Sequence, residues 1–284
     1  MPGTIVVGVT EKPVSRRAVD WACERAIARG LRIELISIVG GAIGVVGEGH
    51  VVDEALRRTS DLLEGEVARV RERGATADGR VRRGRPVEQL IAASEDAAML
   101  VIGSDYRGHG TGPERGQHGL RITAGAHCPV AVVPDLDLAE RTGVVVGVDG
   151  SEVSEAALAF AAEEADRLGE PLTAVSTWTP IALPYEMDGY PTSYLDNMTH
   201  LTEESLSIAL AGVPESHPDL AVHRVVEYGF PASTLNRLAA HARLLVVGSH
   251  GRGALARFLL GSTSELVLAR LATATVVVRP RETP

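Results

Sequence analysis

One pattern of strands and helices occurs twice along this chain. An apolar strand predicted at residues 4–10 has a counterpart at residues 143–149. Each strand leads into an alanine-rich amphipathic pattern, at about residues 15–29 and 154–168, and each pattern stops at a glycine, a common end for a helix. Because the whole order of elements recurs, the repeat indicates two copies of one domain.

Both halves continue the same alternation to their ends. Second strands are predicted at residues 32–39 and 172–178, fourth strands at 99–102 and 244–247, closing strands at 130–133 and 275–278, and third strands that end at Gly84 and Gly229. Strands that alternate with helices form a parallel, doubly wound sheet with helices on both faces. The fold class is therefore α/β, as two Rossmann-like domains in tandem. A polar linker covers residues 134–142, and we place the boundary between domain 1–138 and domain 143–284 near residues 138–142.

Composition agrees with this fold class and argues against several functions. Hydrophobic residues are 45% of the chain and aromatic residues only 4%, so we expect a core of Val, Leu, Ile and Ala. The formal charge of −9 argues against nonspecific binding to nucleic acid or anionic membranes. No apolar run approaches about 18 residues and no N-terminal signal occurs, so we expect a soluble, cytoplasmic protein. Cys23 and Cys128 lack disulfide or metal patterns and are expected to be buried, reduced thiols.

The second half contains a complete glycine-rich loop between its fourth strand and its last helix. The loop reads Gly248-Ser249-His250-Gly251, then nine residues, then Gly261-Ser262-Thr263. Such glycines let backbone N–H groups approach phosphate oxygens, and the first turn of a helix favours an anion. Asp149 ends the first strand, at the sheet edge where these folds bind ligands, and its carboxylate can accept a hydrogen bond from an exocyclic amine or a ribose hydroxyl. Together these features predict a nucleotide site.

Simpler interpretations of the same residues remain open. Ser262 and Glu265 form a capping-box pattern that only starts a helix, and the glycines of the loop only turn the chain. His250 and Arg252 flank the loop and either contact phosphates or are solvated. The common dinucleotide fingerprint does not follow either first strand, and a Walker-A lysine is excluded because Lys12 is the only lysine.

The first half holds a broken copy of the loop. It reads Gly103-Ser104-Asp105-Tyr106, then nine residues, then Gly116-Gln117-His118. Three site positions differ, with Thr10 in place of Asp149, Tyr106 in place of Gly251, and Gln117 in place of Ser262. A tyrosine ring obstructs close approach of the backbone to phosphate, and glutamine replaces a short hydroxyl by a long amide. We therefore predict that only the second half binds a nucleotide.

The motif G-x2-G-x9-G-[ST], with an Asp at the end of the first strand, resembles the universal stress protein family over nearly the whole chain. The resemblance implies an adenine nucleotide-binding fold, with ATP in domain 143–284 and a degenerate domain 1–138 that does not bind it. Mg²⁺ is expected only because triphosphates usually bring it. The implied contacts are Gly147, Asp149 and Thr177 with adenine, Val247 and Gly248 with ribose, and Gly251, Gly261, Ser262 and Thr263 with the triphosphate.

Our leading hypothesis is an ATP-binding protein with a regulatory or stress-response role. We identify no catalytic residues, so we expect at most slow ATP hydrolysis. The resemblance also implies that domains pair through their last strands, within the chain or in a homo-oligomer. Two alternatives remain: an ATP-cleaving or adenylyl-transferring enzyme on a related fold, and a nucleotide-free interaction module.

Two variable segments follow the second strands of the two halves. Residues 40–49 are rich in glycine and lack polar donors, so we interpret them as a flexible loop. Residues 179–197 contain prolines and three tyrosines, and they form either a lid, a partner surface or a mobile surface loop. Helical patterns follow at about residues 52–73 and 198–210.

Overall fold

Strands and helices alternate through both halves of the computed structural model, as the repeat predicts. The chain divides into a first unit, Met1–Leu136, and a second unit, Asp137–Pro284. The structure describes residues 3–40, 49–104, 117–179, 190–251 and 260–279.

The first unit is built on a parallel sheet of five strands with helices between them. The elements are β1 (Thr4–Gly8), α1 (Pro13–Arg29), β2 (Arg32–Val39), α2 (Gly49–Glu72), β3 (Thr76–Arg83), α3 (Pro86–Ala93), β4 (Met99–Gly103), α4 (Gln117–Gly125) and β5 (Val130–Val133). The strands lie in the order β3-β2-β1-β4-β5. The direction in which the chain adds strands therefore reverses between β1 and β4, because β2 and β3 lie on one side of β1, and β4 and β5 lie on the other.

The second unit repeats this topology. The elements are β6 (Val144–Gly147), α5 (Glu152–Leu168), β7 (Leu172–Trp178), α6 (Thr192–Ala209), α7 (Val213–Ser216), β8 (Val222–Tyr228), α8 (Pro231–Ala239), β9 (Leu244–Gly248), α9 (Ser262–Arg270) and β10 (Ala274–Val278). The five parallel strands lie in the order β8-β7-β6-β9-β10. The strand order reverses between β6 and β9, and such a reversal opens a crevice at the carboxyl ends of the strands.

The core consists of small and branched aliphatic side chains, as the composition predicts. In the second unit Val146, Leu245 and Val276 are fully buried, because helices cover both faces of the central strands. In the first unit the same holds for Val7 and Leu100. Full burial of such a side chain stabilises the fold by about 1.5–3 kcal/mol, so the sheet is the rigid base on which the loops are carried.

Glycines end the first helix of each unit, as predicted. Gly30 and Gly169 adopt the left-handed conformation, with φ of 62° and 64°, which is accessible to glycine at little cost. Helix α5 begins two residues earlier than predicted, because the Ser151 hydroxyl caps it by accepting a hydrogen bond from the Ser154 N–H at 3.2 Å. The end of β6 and the start of α5 are therefore joined by a tight, internally bonded turn.

Helix α6 begins at Thr192, whereas the sequence pattern placed its start at about residue 198. Residues 192–197, interpreted as loop, are therefore helical, and Pro191 stands at the N-cap. The first turns of α6 are largely exposed, so their side chains carry little apolar periodicity from which the helix can be predicted. Residues 180–189 of the proposed lid or partner surface, and residues 41–48 of the proposed flexible loop, lie outside the described residues.

Two further expectations concern the cysteines and membranes. Cys23 and Cys128 are both buried and neither forms a disulfide, as predicted. Burial raises the pKa of the Cys23 thiol, so this side chain stays protonated at neutral pH. Within the described ranges, no helix is both long and apolar enough to cross a bilayer.

Candidate functional site

A cavity of about 660 Å³ lies at the carboxyl ends of β6, β7 and β9 in the second unit, where the strand order reverses. Its floor includes Val175, Leu235 and Val247, which also belong to the buried core. The cavity is lined by all nine residues that the sequence analysis singled out: Gly147, Asp149, Thr177, Val247, Gly248, Gly251, Gly261, Ser262 and Thr263.

Asp149 is oriented by the turn that starts α5. Its Oδ1 atom accepts hydrogen bonds from the Ser151 N–H at 3.0 Å and from the Ser151 hydroxyl at 2.6 Å. The Asp149 N–H donates to the Ser154 hydroxyl at 3.3 Å. The side chain is exposed at the cavity edge, so an ionised carboxylate there retains acceptor capacity for a ligand.

The glycine loop is closed by contacts between its two ends. The Gly261 N–H donates to the Ser249 carbonyl at 2.7 Å, and the Ser264 hydroxyl donates to the Gly248 carbonyl at 2.5 Å. A Cβ at Gly261 would lie 3.0 Å from the His250 Cα, and a Cβ at Gly248 would lie 2.9 Å from the Val153 Cγ1. A side chain at either position would therefore require neighbouring atoms to shift.

Helix α9 presents its first turn to the cavity. The N-cap is Gly261 and Ser262 is the first helical residue, so Ser262 does not cap the helix as the capping-box interpretation requires. Ser262 and Thr263 both line the cavity. The N–H groups of a first helical turn have no acceptors within the helix, and the helix dipole favours an anion there.

His250 also lines the cavity, and its Nδ1 atom lies 3.0 Å from the Ser249 hydroxyl oxygen. Asp149 is the sole Asp, Glu, Lys or Arg among the described lining residues. Within the described part of the site, phosphate would therefore be bound by N–H groups, hydroxyls and the imidazole. Arg252, the second flanking residue considered, lies outside the described residues.

One wall of the cavity was missed by the sequence analysis. Residues of α6 recur at helical spacing on a single face, and the pattern is visible in the sequence once the helix is known. These residues are Met198, Leu201, Thr202, Ser205 and Leu206. The indole of Trp178 also lines the cavity and packs on Tyr228, with ring centroids 5.2 Å apart. The site thus also has an apolar and hydroxyl-bearing wall.

The corresponding cavity of the first unit has a volume of only about 220 Å³. The lining residue Ile38 takes the place of Thr177, and Thr10 takes the place of Asp149. Among its described lining residues none comes from α2, the counterpart of α6. Tyr106 and the side chain of Gln117, two of the three changed positions, lie outside what the structure describes.

Comparison with known proteins agrees with this geometry. The model of the universal stress protein family matches twice, at residues 1–134 and 141–279. Universal stress protein Rv2623 of Mycobacterium tuberculosis is 31% identical over 293 residues, covering 96% of this chain and 95% of the relative. Universal stress protein Rv1996 of the same organism is 33% identical over 308 residues, covering 99% and 96%. A universal stress protein structure from Archaeoglobus fulgidus superposes with a TM-score of 0.68 at 20% identity, covering 99% and 97%. The chain therefore belongs to the universal stress protein family and contains two of its domains in tandem.

Proposed function

We propose that the second unit binds ATP in the 660 Å³ cavity and that the protein acts as a nucleotide-dependent regulator in a stress response. The observation that carries the proposal is the convergence of a carboxylate, a glycine loop and a helix N-terminus on one cavity at the strand-order reversal. A site of this volume is within the usual range for ligands of nucleotide size.

The proposed contacts follow the polarity of the cavity wall. Adenine lies at the end bounded by Gly147, Asp149 and Thr177, next to the apolar face of α6. Ribose lies over Val247 and Gly248, at the end of β9. The phosphates extend to the first turn of α9, where they meet Gly251, Gly261, Ser262 and Thr263.

Mg²⁺ fits this arrangement only as an ion brought by the triphosphate. Among the described residues no group of three His, Cys, Asp or Glu side chains could hold a metal, and Asp149 is the single carboxylate lining the cavity. When bound, Mg²⁺ would neutralise charge on the phosphates, as it usually does while retaining several waters.

The proposal for the first unit is that it binds no nucleotide. Its cavity of about 220 Å³ lies below the usual range of ligand sites, and Ile38 lines it where the second unit has Thr177. We therefore expect one ATP per chain. A cytoplasmic location and pairing through last strands stay predictions from the sequence, which fractionation and light scattering would test.

Titration calorimetry of the intact chain tests the stoichiometry. We expect saturation at about one ATP per chain, and no heat from ATP would overturn the proposal. The same titration with ADP, AMP, cAMP and GTP asks whether the adenine base and the phosphates both contribute. Native mass spectrometry of the purified protein names any ligand that is carried through purification, without prior choice of a nucleotide.

The enzyme alternative has a separate test. The described cavity residues include a single carboxylate and one imidazole, which do not form a recognisable acid–base pair. Steady-state turnover near about 10 per second, a common enzyme rate, would favour an ATP-cleaving enzyme over a regulator. A chain that binds no nucleotide of the panel would favour the interaction module.

A further inference from the structure

The space beside Gly251 is occupied by the carboxylate of Asp149. A Cβ built on Gly251 overlaps the Asp149 Oδ2 atom and lies 3.3 Å from its Cγ atom. Apart from the chain neighbours of Gly251, no other heavy atom of the described residues lies within 4 Å of that Cβ position. Among the described residues, the steric requirement for glycine at residue 251 therefore comes from one side chain, which lies about a hundred residues earlier in the chain.

The exposed Asp149 carboxylate is held in this place by hydrogen bonds from Ser151. Its Oδ1 atom accepts from both the N–H and the hydroxyl of Ser151, at 3.0 Å and 2.6 Å. Hydrogen bonds to a charged acceptor are stronger than those between neutral groups. Ser151 is itself fixed as the N-cap of α5. A side chain at residue 251 would thus break an anchored arrangement.

In the first unit both residues of this pair are different. Thr10 stands at the position of Asp149, and Tyr106 stands at the position of Gly251. One bond of the turn is retained, since the Thr10 N–H donates to the Ser15 hydroxyl at 2.9 Å as the Asp149 N–H does to Ser154. The anchor of the carboxylate is not retained, because Lys12, whose side chain does not cap α1, stands in place of Ser151. Where the carboxylate is absent, the glycine is absent too.

We propose that Asp149 is a positioning residue for the glycine loop and that residues 149 and 251 form one coupled pair. The carboxylate takes the space of the missing Cβ, packs against Gly251 and fixes where the loop leaves β9. Glycine at 251 is required by the Asp149 carboxylate, whether or not a phosphate contacts the Gly251 backbone. The effect of this pair on ATP binding rests on the proposed function, whereas the pair itself does not.

The other glycines of the loop provide matched controls. A Cβ at Gly261 would meet the His250 Cα at 3.0 Å and the Ser249 carbonyl oxygen at 3.4 Å. Neither atom belongs to Asp149. Substitution of Gly261 is therefore expected to cost the same whichever residue occupies position 149.

The test of the pair uses the ligand-free protein and a fluorescence probe in the second unit. The chain has two tryptophans, so Trp21→Phe leaves Trp178, which lines the cavity, as the single reporter of thermal unfolding. In this background Gly251→Ala is made in three chains: one that keeps Asp149, one with Asp149→Asn and one with Asp149→Thr. Asparagine keeps the size of the side chain, and threonine copies the first unit.

We expect Gly251→Ala to lower Tm by about 3 °C or more with Asp149 or Asn at position 149, and by less than about 1 °C with Thr. Failure to fold only when Asp149 is present also supports the pair. Equal loss with Asp149 and with Thr, including failure to fold in both, overturns it. As the control, Gly261→Ala must lower Tm by the same amount in the chain with Asp149 and in the chain with Asp149→Thr.

The consequence for the ligand is measured by ATP titration of the same variants. We expect Gly251→Ala to weaken ATP about tenfold with Asp149 and less than about twofold in the Asp149→Thr chain. Equal weakening in both chains means that the phosphate itself requires the glycine, which overturns the positioning role. If the native chain binds no ATP, the proposed function fails, and the thermal comparison still decides the pair.

Discussion

The two units of this protein have the same topology but different crevices. Each has five parallel strands whose order reverses next to the first strand. In each, a backbone N–H after the first strand, that of Thr10 or Asp149, donates to a serine hydroxyl, Ser15 or Ser154. Yet the cavities differ threefold, from about 660 Å³ to about 220 Å³. The fold therefore places a crevice at the strand ends of both units, and the residues that line the two crevices differ.

A core substitution should affect the two units alike, because their sheets are packed in the same way. Leu245→Ala and its counterpart Leu100→Ala each remove a fully buried side chain, and each should cost about 2–5 kcal/mol in the free energy of unfolding of its own unit. Chemical denaturation followed by Trp178 for the second unit and Trp21 for the first measures this. A loss several times larger in one unit would mean that the repeat does not extend to the core.

Gly261→Val should separate the units most clearly in function. The valine side chain would meet the His250 backbone, displace the first turn of α9 and remove hydrogen bonds to a charged ligand. We expect ATP affinity to fall about 100-fold or more, as loss of two such bonds implies. Calorimetry measures it, with Gly116→Val in the first half as the matched control. Binding that survives Gly261→Val would show that the ligand lies elsewhere.

Asp149→Ala should weaken ATP by about tenfold, since one hydrogen bond to a charged acceptor is lost and the loop loses its contact at Gly251. The matched change Thr10→Ala in the first unit should leave affinity and stoichiometry unchanged. The measurement is the same titration. If Thr10→Ala weakened binding as much as Asp149→Ala, the assignment of one nucleotide site to the second unit would be wrong.

The edge strands differ in charge, and this gives the smallest expected effect. Glu227 on β8 accepts hydrogen bonds from Arg237 at 2.6 Å, whereas Arg82 occupies the equivalent place on β3. The hydrogen bond from Arg237 lowers the pKa of the Glu227 carboxyl. A depressed folded-state pKa stabilises above the unfolded-state value, and the contribution disappears as pH falls through the folded-state value.

Glu227→Gln should therefore lower the free energy of unfolding by about 0.5 kcal/mol at pH 7, a small effect because both side chains of the pair are partly exposed. Well below the folded-state pKa of Glu227 the same substitution should have almost no effect. Urea unfolding of the second unit at pH 7 and pH 3 measures the difference. A cost that grows as the pH falls would contradict the sign of the pKa shift.

Much of the fold and of the site was predictable from local patterns. The apolar runs marked β2 and β7 at their observed bounds, and glycines marked the ends of α1 and α5, since both signals depend on neighbours in the chain. The nine residues predicted for the site line one cavity, because strand ends and helix starts in this topology converge at one edge, and their role in binding stays a prediction. The start of α6 was misplaced because its first turns bury little surface.

Residue types and their spacing were thus enough to specify two α/β domains, one with an intact glycine loop and one without. Contacts between distant segments required the folded chain. Sequence spacing could not reveal that α6 forms a wall of the cavity, or that the glycine at 251 faces the carboxylate of Asp149. Such contacts depend on how the sheet brings separate strand ends together, and a helical spacing within α6 does not say which part of the sheet that face meets.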